Sequence, residues 1–406
     1  MSVLKGIFWG TAAGLAWTHV GYPLAAAAAA RLRRRDVARL DWTPTVTVIV
    51  AAHDEEDVIE RRLRNLLELD YPPELVEIVV ASDASTDRTD ELVEAIAAET
   101  LQQTVTSSVE TASESGSEST LQQTVARSGM ARVRLIRAPR GGKVAAQNLA
   151  ARETDGEILA FSDANATWAP DALRRLVSSF ADPDVAYACG RLVLQDADGT
   201  NREGAYWRFE TWLREQESEL GSVTGGNGAI YAVRRSDYVE VDPRFGHDLS
   251  LPYLMVQRGC RAVYDPEALA FEKPSRDLED EYRRKVRMFE HCWLILLEGR
   301  MLRGVPPFYL GQLVSHRVLR YGSGLLHLAL LGASLALARE GGVYRKAHAA
   351  QLALLGLAAA GRARAPVPGA ALAYYYVLVT TATVTALVRY LRDGVPAVWE
   401  TAEGTR

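Results

Sequence analysis

The chain has 406 residues, 48% hydrophobic and 24% charged, with 46 Lys and Arg against 51 Asp and Glu for a formal net charge of −5. This length allows two or three domains with cores of ordinary size. Three cysteines exclude a disulfide-stapled module, the overall composition excludes a collagen-like or wholly disordered chain, and the near-neutral charge argues against nucleic acid as a partner held by bulk electrostatics.

A mean hydropathy of −0.07 averages over unlike segments. Gly6 to Ala30 contains no Lys, Arg, Asp or Glu, and a membrane-spanning helix needs about 20 mostly apolar residues. Arg31, Arg33, Arg34 and Arg35 follow at once, which by the positive-inside rule puts the next segment in the cytoplasm. A transmembrane helix is therefore expected within residues 1–30. A cleaved signal peptide with its small-residue site in Ala25–Ala30 is the alternative, and the four arginines fit a retained anchor better.

From Trp42 to about Arg300, short apolar runs alternate with amphipathic ones. Thr45–Ala51 is β-branched and continuously apolar, as a strand buried on both faces should be. The pattern then predicts a helix over Asp57–Leu69, stopped by Pro72 and Pro73, and a strand over Val76–Ser82. A helix over Asp87–Ala98, a strand over Val133–Ala138, a helix over Lys143–Arg152 and a strand over Glu157–Asp163 follow. This alternation predicts an α/β fold with a doubly wound, mostly parallel sheet, whose ligands bind beyond the carboxyl ends of the strands. Residues 99–129 break the rhythm: they are rich in Ser, Thr, Glu and Gln, and TLQQTV occurs at Thr100–Val105 and Thr120–Val125. Such polar low complexity predicts a largely disordered surface insertion. Cys189, Cys260 and Cys292 are widely spaced without CxxC, which suggests buried thiols rather than a metal site.

Acidic residues recur at the carboxyl ends of the predicted strands: AAHDEED at Ala51–Asp57, SDASTD with Asp83 and Asp87, and Asp163-Ala164-Asn165. Singly, Asp83 suits a helix N-cap and Asp163 a turn. Together they would repel at one sheet edge unless a cation or ligand donors neutralise them. PRGGKVA (Pro139–Ala145) is not a Walker A loop, because Arg137 stands where the first Gly is needed. The amides after Gly141 and Gly142, with Lys143, could instead meet an anion at a helix start, or simply form a strand-helix turn.

The succession AAHDEED, ASDASTDRT, PRGGKVAAQN and FSDAN, then GGNGAIYAVRR (Gly225–Arg235), HDLSLP (His247–Pro252) and RRKVRM (Arg283–Met288), resembles a family 2 glycosyltransferase of the GT-A fold over residues 42–300. With membrane helices on either side it is similar to the cellulose, poly-N-acetylglucosamine and hyaluronan synthase-like members. The resemblance implies that Ala51, Ala52, His53 and Glu55 line the uridine of a UDP-sugar and that Asp83 accepts from its uracil imide. Lys143 and Asp163 would also bind the nucleotide sugar, and Asp163 with Asn165 would hold Mg2+ or Mn2+. Asn165 stands where the family often has Asp. It further implies Asp248 as catalytic base, Arg284 and Arg287 as groups that hold developing charge, and Gly226, Asn227 and Gly228 as an acceptor loop. His247 stands where an acid is usual and reads as a loop residue. Met288 replaces a stacking Trp; Trp207, Trp212 and Trp293 could stack in its place but read better as packing residues. The basic helix face at 283–287 has a solvated or headgroup-facing surface as its alternative.

Downstream, residues 303–320 mix aromatics with His316, Arg317 and Arg320, as an interfacial helix does, with a cytosolic linker helix as the alternative. The uncharged runs Tyr321–Ala338, Ala347–Gly361 and Ala365–Val388 predict two or three transmembrane helices within 321–392, followed by a tail at 393–406. The implied protein is an integral membrane enzyme, in a prokaryotic plasma membrane with its catalytic domain cytoplasmic. It would transfer a sugar with inversion from a UDP-sugar to a glycan or lipid-linked acceptor, with export or regulatory subunits as further partners. A polyprenyl-phosphate acceptor and a non-catalytic nucleotide-binding protein are the alternatives.

Overall fold

The computed structural model describes residues 2–115, 131–195, 204–274 and 278–396. They divide into an α/β unit, built from Arg35–Gly204 and Glu210–Pro274, and a helical unit, built from Met1–Arg34, Ala205–Phe209 and Ser275–Val395.

The α/β unit holds an eight-stranded sheet: β1 (Val46–Ala52), β2 (Val76–Asp83), β3 (Arg132–Ala138), β4 (Ile158–Asp163), β5 (Thr167–Trp168), β6 (Val185–Leu194), β7 (Tyr231–Arg234) and β8 (Arg261–Glu272). Their order is β3-β2-β1-β4-β7-β6-β8-β5. The first four strands are parallel, as their alternation with helices predicts. The second half is mixed: β7 runs antiparallel to both β4 and β6, β8 is parallel to β6, and β5 is antiparallel to β8.

Strand β1 is buried along almost its whole length because helices cover both faces. On one face Ile49, Val79, Ala81 and Phe161 form a core with Val144, Ala146 and Ala150 of helix Lys143–Arg152 and with Leu251 and Met255 of helix His247–Gln257. Register positions the site. Ala51 is level with both Ala81 and Asp163, and Ala52 with Ser82, so Asp83 and Asp163 leave the sheet at the same edge.

The segment expected to be disordered from residue 99 starts as helix instead. Helix Thr89–Ser115 continues without a break through the first TLQQTV, whose Thr100 hydroxyl bonds back to the Ile96 and Ala97 carbonyls. Ser, Thr and Gln tolerate helix once a packed turn has nucleated it. The second copy and the rest of the insertion, and the tail from 397, lie outside the described residues.

In the helical unit, Ala370–Asp393 is long and apolar enough to cross a membrane, and Pro307–Tyr321 with Ser323–Ala336 meets the same test only as one pair bent by 64°. The expected N-terminal span is not met. The chain there forms helices Ser2–Ala16 and Tyr22–Arg33 on either side of a five-residue π turn, Trp17–Gly21, and neither helix is long enough to cross. The turn is tied down by polar contacts, with Trp17 Nε1 donating to Ser315 Oγ at 2.9 Å and Thr18 Oγ1 to the Ser315 carbonyl at 2.8 Å. Helix Gly342–Arg362 also fails the test, carrying Arg345, Lys346 and Arg362. The expected interfacial helix buries His316 and Arg320 instead of presenting them, with the Arg320 guanidinium over the rings of Tyr206 and Phe209 at 5.9 and 5.3 Å.

Candidate active site

Two loops at the sheet edge lock each other through the acids that the sequence places there. Asp54, held at a φ of 52°, accepts from the amides of Thr86 at 2.6 Å and Asp87 at 3.4 Å and from the Thr86 hydroxyl at 3.2 Å. Asp87 in turn accepts from the amides of Glu56 and Thr89 at 3.0 and 2.9 Å, and the Glu55 amide donates to Thr89 Oγ1 at 2.7 Å. His53 lies 3.4 Å from Asp54. Burial pushes the Asp54 carboxyl up, but the Thr86 amide and His53 more than offset it, leaving the pKa below its ordinary value. The walls around Ala51, Ala52, His53 and Glu55 are therefore fixed by backbone donors.

Asp83 ends β2 and is 3% exposed. Its Oδ1 accepts from the amides of Gly141 at 2.7 Å and Gly142 at 3.1 Å, while Oδ2 accepts from Arg140 Nη1 at 2.7 Å and the Gly142 amide at 3.1 Å. The anion met by the Gly141-Gly142 amides is thus this carboxylate. Gly142 has a φ of 90°, a conformation that glycine adopts without strain. Arg140 escaped the sequence reading, although it stands beside the glycines of the motif.

Asp163 ends β4, and the ammonium of Lys143, first residue of helix Lys143–Arg152, contacts its Oδ1. Burial lowers the pKa of Lys143, but the Asp163 carboxylate outweighs it, with Asp248 and Glu272 adding to the rise. Three carboxylates therefore share the field of one ammonium. Beneath them Arg62 is 1% exposed, donating to Asn65 Oδ1 at 2.6 Å and Ser162 Oγ at 2.7 Å, with its guanidinium 4.8 Å from the Trp168 ring. Burial draws the Arg62 pKa down to about 9 against the opposing pull of Asp163 and Glu272. The signal for Arg62 was a cation on the apolar stripe of Ile59, Leu63 and Leu66; Glu272 carried none.

Gly228 faces this pair. A Cβ there would lie 3.1 Å from Asp163 Oδ2 and 3.3 Å from Lys143 Nζ, so glycine keeps the space open. Gly226 has a different reason: its Cβ would lie 2.0 Å from Tyr187 Oη. Asn227 points inward, donating to the Gly190 carbonyl at 2.6 Å and accepting from the amides of Ala229 and Ile230 at 3.1 and 3.0 Å. Both ends of its amide shape the loop. Arg214, also absent from the sequence reading, fixes the loop from outside by donating to the carbonyls of Gly225 and Gly226, each at 3.2 Å.

Asp248 stands in the first turn of helix His247–Gln257, and its carbonyl accepts from the Gly226 amide at 2.7 Å. Its side chain is half-buried and makes no ion pair or side-chain hydrogen bond among the described residues. His247 beside it is a core residue rather than a loop residue: 3% exposed, edge-on to Phe161, with Nδ1 3.0 Å from Tyr231 Oη. Burial, then the Lys143 cation, pull its pKa down to about 3, so it is neutral.

Arg284 and Arg287 belong to helix Leu278–Glu298 of the helical unit. Arg284 Nε lies 3.6 Å from Glu281, and burial followed by the Arg284 charge lowers the Arg287 pKa. Trp293 is packed, donating to the Thr383 carbonyl at 2.9 Å, and Met288 is exposed. Cys189 and Cys292 are buried free thiols, and Cys260 is half-buried. Among the described residues no group of three or more His, Cys, Asp or Glu is gathered to hold an ion.

The profile of the family described as Glycosyl transferase family 2 matches residues 47–108 and 108–241. A beta-monoglucosyldiacylglycerol synthase of Synechocystis sp. is 28% identical over 48% of this chain and 36% of its own length. An N-acetylglucosaminyltransferase of Rhizobium meliloti is 27% identical over 47% of this chain and 50% of its own. The chain thus spans half or less of the length of these curated relatives. Among solved structures, the mannosyltransferase PcManGT from Pyrobaculum calidifontis in complex with GDP-Man and Mn2+ is 25% identical. It superposes with a TM-score of 0.67, over 96% of this chain and 99% of that one.

Proposed function

This chain belongs to glycosyltransferase family 2 and has a GT-A fold, and we propose that it transfers a hexosyl or N-acetylhexosaminyl group from a nucleotide sugar to a hydroxyl of a lipid-linked or glycan acceptor at the cytoplasmic face of a membrane. The observation that carries this reading is Asp248, a half-buried carboxylate without an ion pair among the described residues, within the field of the Lys143–Asp163 pair. A sugar hydroxyl attacks poorly at neutral pH until a base takes its proton. In the proposed step, an acceptor oxygen bonds to the anomeric carbon of the donor while the bond from that carbon to the diphosphate oxygen breaks. Asp248 receives the hydroxyl proton, the nucleoside diphosphate leaves, and in-line attack inverts the anomeric centre.

A divalent cation fits the donor chemistry: Asp163 offers a carboxylate, already set against a positive charge, and Asn165 an amide oxygen. Such ions are commonly held by one or two side chains plus substrate phosphates. Asp163 and Asn165 would hold Mg2+ or Mn2+, which when bound stabilises the charge on the departing diphosphate. The chain's own contribution is to orient the donor through the fixed 53–57 and 84–89 loops, to keep space clear at Gly228, and to place Lys143 by the phosphates. We assign a charge-holding role to Arg284 and Arg287.

A lipid-linked acceptor agrees with the activity named for the Synechocystis relative and with the span-length helix Ala370–Asp393. The GDP-Man complex of PcManGT favours a second reading in which the donor carries guanine. Detergent-purified protein incubated with a panel of UDP-sugars and GDP-mannose, each with Mn2+, Mg2+ or chelator, tests both by the diphosphate released. Release from no donor, with or without diacylglycerol or glycan acceptor, would remove the enzymatic reading.

A further inference from the structure

The ammonium of Lys143 occupies the carboxylate that a divalent cation would need. It contacts Asp163 Oδ1 directly, and a Cβ on Gly228 would lie 3.1 Å from Asp163 Oδ2 and 3.3 Å from Lys143 Nζ. Both side chains are partly open, 24% for Lys143 and 28% for Asp163, so an ion can reach them. Below the pair, Arg62 bonds to Ser162, the residue next to Asp163, and supplies a second, fixed positive charge. A carboxylate flanked by two cations is a poor receiver for a third positive charge unless one moves away. Arg62 is pinned by Asn65, Ser162 and the Trp168 ring, whereas Lys143 stands on a flexible stem at the start of its helix.

We propose that Lys143 is a resident cation: it holds Asp163 in the donor-free protein and is exchanged for the divalent ion, which releases the ammonium to the diphosphate of the incoming donor. The inference rests on the donor-site reading above. Its consequence is coupling. Metal without nucleotide must displace Lys143 into a field already rich in positive charge, so it binds weakly. A diphosphate gives the released ammonium a new partner, so nucleotide and metal each strengthen the binding of the other by the same factor.

The test reads the lysine itself. Full-length wild-type protein in detergent is acetylated with an amine-reactive ester, and the modification rate of Lys143 is measured by peptide mass spectrometry against exposed Lys346. Adding Mn2+ alone should speed Lys143 labelling several-fold, and adding UDP or GDP with Mn2+ should suppress it again. In parallel, Mn2+ titration followed by electron paramagnetic resonance without nucleotide should show Lys143→Met binding the ion about tenfold more tightly than wild type, a size typical of couplings between sites. Lys143→Arg should remain weak. Labelling that Mn2+ leaves unchanged or slows, or a Lys143→Met protein that binds Mn2+ no more tightly, overturns the exchange. The wild-type labelling needs no variant to fold. A protein that binds neither Mn2+ nor nucleotide brings down the donor-site reading and the exchange together. Binding of both with flat Lys143 labelling defeats the exchange alone.

Discussion

Asp83→Asn is the sharpest perturbation of the donor edge, because it keeps the side-chain shape while inverting the hydrogen-bonding character of one atom. Every partner of the Asp83 carboxylate is a donor: the Gly141 amide at 2.7 Å, the Gly142 amide at 3.1 Å and Arg140 Nη1 at 2.7 Å. Whichever oxygen becomes NH2 therefore faces a donor. A hydrogen bond to a charged group contributes about 1.5–3 kcal/mol. The Arg140 side chain is 33% exposed, so water recovers part of its loss, whereas the glycine amides lie deeper. The total is about 2–3 kcal/mol for opening the 139–143 turn, or roughly 30- to 150-fold. Hydrogen exchange measured by mass spectrometry reads such local opening directly, and the Gly141–Gly142 amides should lose protection by that factor. Arg140→Met leaves the amide bonds in place and should lose about tenfold or less. Should Asp83 also meet the nucleobase, as the family resemblance implies, Asp83→Asn would weaken nucleotide binding more than Arg140→Met does. Exchange within about threefold of wild type in Asp83→Asn would refute the assignment of Asp83 as the anchor of this turn.

Asp248→Asn should lower the rate of sugar transfer by about 10²–10⁴-fold while nucleotide affinity, read by calorimetry, stays within about twofold; normal turnover would remove the base. Gly226→Ala should lower the thermal unfolding temperature, at a cost of about 1–3 kcal/mol from overpacking. The added Cβ would sit 2.0 Å from Tyr187 Oη but 3.1 Å from its Cζ, so Tyr187→Phe with Gly226→Ala should recover part of the loss. A double variant no more stable than Gly226→Ala alone would contradict that geometry. For His247 the folded pKa of about 3 lies below the ordinary 6.5, so below pH 6.5 the unfolded chain binds the proton that the fold refuses. Its contribution to stability is complete above that pH and falls by about 1.4 kcal/mol per unit on descending toward 3. Urea titrations at successive pH values should show that slope flattened in His247→Gln; an unchanged slope would mean the proton is taken up elsewhere.

The parallel half of the sheet was legible because its strands are buried on both faces and separated by helices, a pattern that burial forces on the sequence. The predicted helix over Lys143–Arg152 has the observed bounds. Strands β5, β6, β7 and β8 were not read, since the mixed half of the sheet lacks the regular alternation of strand with helix. The N-terminal run misled for a physical reason: absence of charge is not absence of polarity, and Thr11, Trp17, Thr18 and His19 interrupt it with groups that seek hydrogen bonds. Within the site, Asp83, Asp163 and Lys143 could be found because each ends or begins an element. The backbone bonds of Asn227 could not be read, because an amide in a glycine loop looks the same whether it faces a ligand or the backbone.

The acidic edge raised a question that pairing answers. Like charges at the ends of neighbouring strands repel, and here each is met from within: Asp54 and Asp87 by backbone amides, Asp83 by Arg140 and two glycine amides, Asp163 by Lys143 with Arg62 beneath. Asp83 and Asp163 are thus occupied by partners of the protein itself, whereas Asp248 makes no ion pair among the described residues yet stands in the field of Lys143. The same ammonium therefore links the two halves of the proposed reaction. Lys143 faces Asp163 and Asp248 alike, so the proposed movement of its ammonium to the diphosphate would change the field at the base at the moment when the donor arrives.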